Sequence, residues 1–318
     1  MQNSEKIEFD SVTLSNLREL SKRQSTLEEQ RICEIYELSR FAAEIFSQMA
    51  GDGYGTYEIL SYISEGLPRE YSSFHSGVLS ENTERLLRYA ASLERSDRVI
   101  FCQLLIDKIR EKGFSLTESA FLNSDHKNQK IAYVKNSFSD EAYDVFSQDL
   151  SAPRLTYVKT FKDAVKMVNR GECEYCLLPL EEKGGARVST VVEMIFKDDL
   201  KINALTPVFG LDGVADIKYA LLSKSCTIPK IYEDDDRYLE ILLPVCEGIS
   251  PTELLTASAS YGASIYRVSS TRFDEDGEPR EYYSVVFRDE GADFAPLLTY
   301  LTLYFGSFIP VGIYKNLE

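Results

Sequence analysis

Tryptophan is absent from this sequence of 318 residues, and histidine occurs only twice, as His75 and His126. No apolar run approaches the ~18 residues of a membrane-spanning helix, so the sequence indicates no membrane span. The amino-terminal stretch MQNSEKIEFD is polar and acidic, unlike a signal or transit peptide. We therefore expect a cytoplasmic protein.

Positive charge is scarce as well. Lysine and arginine total 35 against 51 aspartates and glutamates, which gives a net charge of −16. Such a surface repels phosphate backbones and anionic membranes, so we expect no nucleic-acid partner and no membrane partner. A local basic pocket for a small anion is still compatible with this charge. With 44% hydrophobic and 27% charged residues, the composition is that of a globular protein.

The six cysteines are scattered, which argues against a disulfide framework. Cys173 and Cys176 nevertheless have the spacing of a zinc knuckle or a redox dithiol. A structural zinc site needs four ligands, and no second CxxC or histidine pair follows. Because EYCLLPL is typical of a buried strand, we interpret both cysteines as packing residues, with a metal or thiol site as the alternative. We predict no metal site and no cofactor.

Apolar residues recur at three- and four-residue steps up to about residue 126, which predicts a helical domain over residues 1–126. The repeat includes Leu27, Ile35, Leu38, Ala42, Ile45 and Met49. Further helices are predicted from Ser80 to Ala91 and from Ser96 to Lys112, the latter ending at Gly113.

Strands and helices alternate after this point. KIAYV, RLTYVKTF, YCLLPL, INALTPVFG and KYALLSK have the composition of strands. Helices are predicted from Ser139 to Phe146, Phe161 to Asn169 and Val188 to Phe196. The alternation predicts a largely parallel α/β lobe over residues 127–232.

The acidic stretch IYEDDDR is read as a linker to a third domain, residues 233–318. Strand, helix, strand, strand, helix and strand follow, which is the ferredoxin-like βαββαβ order. The predicted fold class is thus mixed α and β: a helical bundle, a single α/β lobe and a ferredoxin-like domain.

Two stretches carry a resemblance to a known family. TFKDAVKMVNRGECEYCLLPLEEKGGARVSTVVEMI resembles the first lobe of prephenate dehydratases, and GASIYRVSSTRFDEDGEPREYYSVVF resembles the ACT domain that follows it. The segments LEEQRICEIYELSR and FCQLLIDKI are similar to the first and last helices of chorismate mutase. The order resembles bifunctional chorismate mutase/prephenate dehydratases. This resemblance implies half of a periplasmic-binding-protein-like fold for the lobe, and a homodimer formed through the ACT-like domain.

The resemblance also implies a catalytic Thr-Arg-Phe sequence on the returning strand of the lobe. Ile217, Lys218 and Tyr219 occupy those positions, and isoleucine has no proton to give. Only the five residues LDGVA separate Gly210 from Asp216, where the family inserts a second lobe. We therefore predict a single lobe and no catalytic residue.

Two groups of ligand-binding candidates follow from the resemblance. The lobe group lies at the ends of its strands and comprises Ser137, Ser139, Glu181, Glu182 and Lys218. The ACT group lies on the family's amino-acid-binding motifs and comprises Gly248, Ile249, Ser269, Ser270 and Arg272. The glutamate of the second motif is lost, and its arginine is displaced by one position, which turns it to the other face of a strand.

Two hypotheses for the function fit these observations. The first is a non-catalytic pseudoenzyme, related to phenylalanine biosynthesis, that binds a small anion or an aromatic amino acid or acts in regulation. The alternative is an active prephenate dehydratase or chorismate mutase whose site is completed by a partner subunit.

Overall fold

The computed structural model describes most of the chain. The described residues are 11–65, 93–122, 129–150, 153–210, 215–229, 236–245, 251–275, 277–291, 293–305 and 307–317. The helix predicted from Ser80 to Ala91, both histidines and most of the acidic linker lie outside these ranges. So do the candidates Gly248 and Ile249.

The amino-terminal region is helical, as predicted. Helix α1 spans Ser11–Gly51, α2 spans Thr56–Glu65 and α3 spans Arg95–Glu111. Most of the predicted apolar stripe on α1 is buried, but Leu27 is 65% exposed. The difference arises because α3, the described helix packed along α1, begins only beside Arg31, whose guanidinium lies 3.4 Å from Asp97. The first half of α1 therefore extends past α3.

Strands and helices alternate from Lys130, and each predicted element of this region is present. The predicted largely parallel arrangement is wrong in part, because the last strand of the lobe runs antiparallel to both of its neighbours. The order is β1 (Lys130–Val134), α4 (Ser137–Asp149), β2 (Arg154–Val158), α5 (Phe161–Asn169), β3 (Tyr175–Glu182), α6 (Ser189–Lys197), β4 (Lys201–Phe209) and β5 (Ala215–Ser223). Helix α4 begins earlier than predicted because the Asn136 side chain caps it, accepting a hydrogen bond from the Ser139 amide.

The carboxyl-terminal region has the predicted order of strands and helices. It comprises β6 (Arg237–Pro244), α7 (Pro251–Ser260), β7 (Ala263–Glu275), β8 (Glu278–Asp289), α8 (Ala295–Tyr304) and β9 (Ile309–Asn316). Strand β6 lies between β8 and β9 and is antiparallel to both, while β7 pairs with β8 as a long hairpin.

One sheet of nine strands runs through both regions in the order β2-β1-β3-β5-β4-β9-β6-β8-β7. The junction is the parallel pair β4–β9, in which Ala204 is aligned with Lys315. The two strands approach closely at Gly312, where an added Cβ atom would overlap the carbonyl oxygen of Ile202. Glycine is thus required for the sheet to continue from the lobe into the carboxyl-terminal region.

Both faces of the sheet are covered. Helices α7 and α8 cover one face of the carboxyl-terminal strands, and α1, α2 and α3 share one apolar cluster with them. Helices α5 and α6 cover the opposite face, and α4 covers the remaining face of the lobe. Among the described residues, no helix is both long and apolar enough to cross a membrane.

Candidate functional site

The lobe candidates lie near the carboxyl ends of the parallel strands β1 and β3, where β5 begins. Glu181 on β3 is aligned with Lys218 on β5, and Glu182 is aligned with Ile217. The Lys218 Nζ atom is 3.3 Å from Glu181 Oε2. The structure therefore brings Glu181 and Lys218 into contact.

The two serine candidates occupy the first turn of α4. Ser139 is buried, and its hydroxyl donates to the Val134 carbonyl at 2.6 Å and accepts from the Asn136 amide at 3.0 Å. These bonds form a capping box, which fixes the start of the helix. Ser137 is exposed beside it. The hydroxyl of Ser139 thus serves the backbone of the helix start.

Ile217 and Tyr219 stand at the positions where the resemblance implies catalytic groups. Ile217 packs against the apolar cluster beneath α4. Tyr219 is buried, and burial raises the pKa of its hydroxyl although Asn136 hydrogen-bonds to it. Neither side chain is a ready proton donor at neutral pH.

Glu181 is the centre of a partly buried ion network that joins the lobe to the carboxyl-terminal strands. Arg267 on β7 donates to Glu181 Oε1 at 2.7 Å, and the Nε atom of Arg187 lies 3.2 Å from the same oxygen. Arg187 also donates to Glu240 on β6 at 2.8 Å. The hydroxyl of Tyr314 donates to Glu240 at 2.8 Å. These contacts fix the end of β3 and the turn that follows it to β6, β7 and β9.

The network keeps the carboxylate of Glu181 ionised. Burial raises the pKa of Glu181, but the nearby charges of Arg187, Arg267 and Lys218 outweigh burial and hold that pKa below its ordinary value. Burial lowers the pKa of Arg187, but the interactions with Glu240, Tyr314 and Glu181 outweigh burial. The pKa of Arg187 is therefore raised above its usual range. The charges of these groups are therefore fixed at neutral pH.

The larger of two cavities beside this network lies between α6 and the β7–β8 hairpin; we call it the first cavity. It has a volume of about 720 Å³. Three of the predicted ligand candidates line it, together with the two arginines of the network: Ser269, Ser270, Arg272, Arg187 and Arg267. At one end, the ring of Phe196 on α6 stacks on Phe273 at 3.9 Å between centroids.

The first turn of α6 forms one wall of the first cavity. Gly184 and Gly185 precede it with φ angles of 93° and 84°, a conformation that glycine adopts without strain. The residue before the helix, Val188, provides no side-chain cap. Ser189 and Thr190 of this turn line the cavity. The amide groups of the first turn and the positive end of the helix dipole therefore face this side.

The remaining lining divides into an apolar floor and a charged rim. The floor is formed by Val192, Ile195, Ile202, Leu242, Phe273 and Val311. The rim carries acidic Glu193 and Asp274 besides the arginines. A ligand that combines an apolar group with both charge signs would find partners for each part.

The sequence did not reveal Arg187 or Arg267 as site residues. Arg187 directly follows GGA before the start of α6, so its place beside a glycine turn was a usable signal. Arg267 follows a β-bulge between Ile265 and Arg267, and a bulge redirects the side chains after it. No sequence pattern marked that bulge.

Cys173 and Cys176 pack in the apolar cluster beneath α5 and α6, as predicted, and are free thiols. Burial raises the pKa of both thiols, so neither has the character of a redox thiolate. Within the described ranges, no group of three or more His, Cys, Asp or Glu side chains could hold a metal ion.

Comparisons with known proteins give weak similarities only. No protein-family model and no curated protein matches the chain. A prephenate dehydratase from Streptococcus mutans is 16% identical, with 60% of this chain and 100% of that chain covered and a TM-score of 0.47. A prephenate dehydratase from Arthrobacter aurescens in complex with L-Phe is 14% identical over 58% and 89% of the chains, with a TM-score of 0.42. A quorum quenching acylase is 17% identical over 59% and 96%, with a TM-score of 0.44.

Proposed function

We propose that this chain is a non-catalytic relative of the prephenate dehydratase–ACT proteins, and that its first cavity binds an amino acid with an aromatic or other apolar side chain. The observation that carries the proposal is the composition of this cavity. It combines a helix amino terminus, arginines, two exposed serines, an apolar floor and acidic residues.

The carboxylate of the ligand belongs at the first turn of α6. The positive end of the helix dipole favours an anion at this position. Ser269, Ser270 and Arg272 of β7 also line this cavity. Since Arg187 is already held by Glu181 and Glu240, Arg272 is the cation that we assign to the ligand.

The rest of the ligand follows from the other parts of the lining. Glu193 and Asp274 supply negative charge for an ammonium group, and the floor supplies apolar contact for the side chain. A volume of about 720 Å³ accommodates a molecule of this size.

Two observations at the strand ends of the lobe support a non-catalytic protein. Ile217 packs against apolar groups where the resemblance implies a proton donor. Residues 210–214 are the whole connection between β4 and β5, too short to contain a second lobe. The division into a mutase-like region 1–126, a lobe 127–232 and an ACT-like region 233–318 belongs to the same proposal.

A thermal-shift screen tests the proposal with phenylalanine, tyrosine, tryptophan, chorismate, prephenate and phenylpyruvate. A ligand that binds only the folded state adds about 2.7 kcal/mol of stability at a concentration of 100 Kd. We expect at least one aromatic amino acid to raise the Tm, and Arg272→Leu to abolish this shift. Arg170→Leu, which removes an exposed arginine away from the cavity, is the control.

Two results would overturn the proposal. One is the absence of a shift with every amino acid, and the other is an equal shift in the Arg272→Leu variant. Binding of prephenate accompanied by phenylpyruvate formation would favour the enzyme alternative instead.

We also propose that the protein is a homodimer that assembles through its carboxyl-terminal region. Strand β7 is 13 residues long and forms one end of the sheet. Val268 on this strand is more than half exposed. A long edge strand with exposed apolar side chains favours pairing with another chain.

A further inference from the structure

The smaller cavity lies on the other side of the ion network, and we call it the second cavity. Its volume is about 410 Å³. Its lining is Glu181, Gly185, Leu205, Lys218, Tyr238, Tyr266, Arg267, Tyr314 and Asn316. Only Gly185 and Arg267 also line the first cavity.

Both regions of the chain contribute walls to the second cavity. Glu181 and Lys218 lie at the strand ends of the lobe. This is the side on which the resemblance implies a second lobe and on which the sequence has only a short connection. Strands β6, β7 and β9 stand on that side, because the β4–β9 pair continues the sheet past the lobe. The same chain thus supplies a second wall, which carries Tyr238, Tyr266 and Tyr314.

The charges around the second cavity do not cancel. The network contains three cations, Arg187, Lys218 and Arg267, but only two carboxylates, Glu181 and Glu240. One positive charge is left over in a chain whose net charge is −16. The side chain of Lys218 is 32% exposed, and its Nζ atom lies 3.3 Å from Glu181 Oε2. Its ammonium group therefore has donors available for an anion.

The tyrosines give the second cavity an aromatic wall. The ring of Tyr238 meets the ring of Tyr266 edge to face at 5.1 Å, and it stacks beside Tyr314 at 5.8 Å. Tyr266 is 56% exposed although it belongs to this cluster. An exposed ring beside two packed rings offers its free face to a planar ligand.

We propose that the second cavity is a separate binding site for a compact aromatic carboxylate, whose carboxylate pairs with Lys218 and whose ring packs on Tyr266. The site uses neither the first turn of α6 nor Arg272. It therefore stands or falls independently of the amino-acid site in the first cavity.

The absence of tryptophan from the sequence allows a direct test. Tyr266→Trp places a single tryptophan at the second cavity, and its fluorescence is titrated with phenylacetate and with cyclohexylacetate. We expect a saturable change with phenylacetate and a several-fold weaker affinity for cyclohexylacetate, whose ring has no aromatic face. Adding Lys218→Met should weaken phenylacetate binding by at least about tenfold, since a charge-assisted hydrogen bond is lost.

Tyr157→Trp is the matched control, because Tyr157 is exposed to a similar degree on β2 at the far end of the sheet. The fluorescence of this variant should change linearly with the ligand concentration, as collisional quenching does, and should not saturate. Lys218→Gln, which keeps a polar contact to Glu181, replaces Lys218→Met if the latter does not fold. Arg272→Leu should leave the titration unchanged.

The proposal is overturned if the Tyr266→Trp signal does not saturate, if both ring types bind equally, or if the folded lysine variant binds like the parent. A loss of phenylacetate binding in Arg272→Leu would place the ligand in the first cavity and would also overturn it.

Discussion

The guanidinium group of Arg267 donates a hydrogen bond of 2.7 Å to the carboxylate of Glu181. These residues are 86 positions apart in the sequence. Arg267 lies on β7, at the end of the sheet, and Glu181 lies on β3, within the lobe. Their contact draws the β7–β8 hairpin over the edge of the lobe, and the two cavities lie on either side of it.

Removing the charge of Glu181 should destabilise the fold. Glu181→Gln leaves Arg187, Arg267 and Lys218 without their common anion, and breaking a buried pair costs roughly 3 kcal/mol. Urea unfolding should show this loss in the free energy of unfolding. Glu172→Gln, at a half-exposed carboxylate 3.7 Å from Arg170, should change it by less than about 0.5 kcal/mol. Equal stabilities of the two variants would contradict the role of the network.

The same carboxylate should make the stability depend on pH. The pKa of Glu181 is lower in the folded state than in the unfolded chain, because the three cations outweigh burial. Its stabilising contribution is therefore complete above the unfolded pKa of about 4.3 and is lost as pH falls through the lower folded pKa. The stability difference between the parent and Glu181→Gln should stay constant between about pH 6 and about pH 7. It should shrink below the unfolded pKa, and a difference that grew on acidification would refute this account.

Gly312→Ala should weaken the junction of the sheet. The added methyl group would overlap the carbonyl oxygen of Ile202 and separate β9 from β4, so we expect a loss of about 3 kcal/mol. Gly51→Ala is the control, because Gly51 ends α1 with open space around its Cα atom. Alanine there should be neutral or slightly stabilising. Thermal unfolding of both variants measures the difference.

Purified protein should form no phenylpyruvate from prephenate at neutral pH above the uncatalysed rate. Ile217 supplies no proton, and Ile217→Thr alone should not restore activity, because a hydroxyl does not by itself create the closed pocket in which a proton donor is effective. Absorbance of phenylpyruvate is the measurement. A turnover near the ~10 s⁻¹ typical of enzymes would exclude a non-catalytic protein. Activity that required a second protein would favour the partner-completed enzyme.

Light scattering at micromolar concentration should give a mass of about twice the 36.1 kDa of one chain. If the dimer forms along β7, Val268→Lys should shift it towards the monomer, since an edge lysine opposes strand pairing. Leu155→Lys, on the edge strand at the opposite end of the sheet, is the control and should remain dimeric. A monomeric parent would contradict the proposal.

The local helices and strands follow from the sequence alone. Thr160 caps α5 through the amide of Asp163, and Gly171, with a φ angle of 69°, follows its last turn. These signals act within one or two turns of helix, so they can be read without knowing the fold. The burial of Cys176 was predictable for the same reason, because a strand such as β3 that is apolar at nearly every position is covered on both faces.

The joining of the regions and the position of the cavities depend on the folded chain. The pairing of β4 with β9 depends on strands more than 100 residues apart, and the sole local trace of it is the glycine at position 312. Arg267 reaches Glu181 because a bulge redirects β7 and because the continuous sheet places β7 opposite the lobe. Such contacts form between side chains that share no local pattern. The ion network, and the way it brings the residues of both proposed sites together, could therefore emerge only from the folded chain.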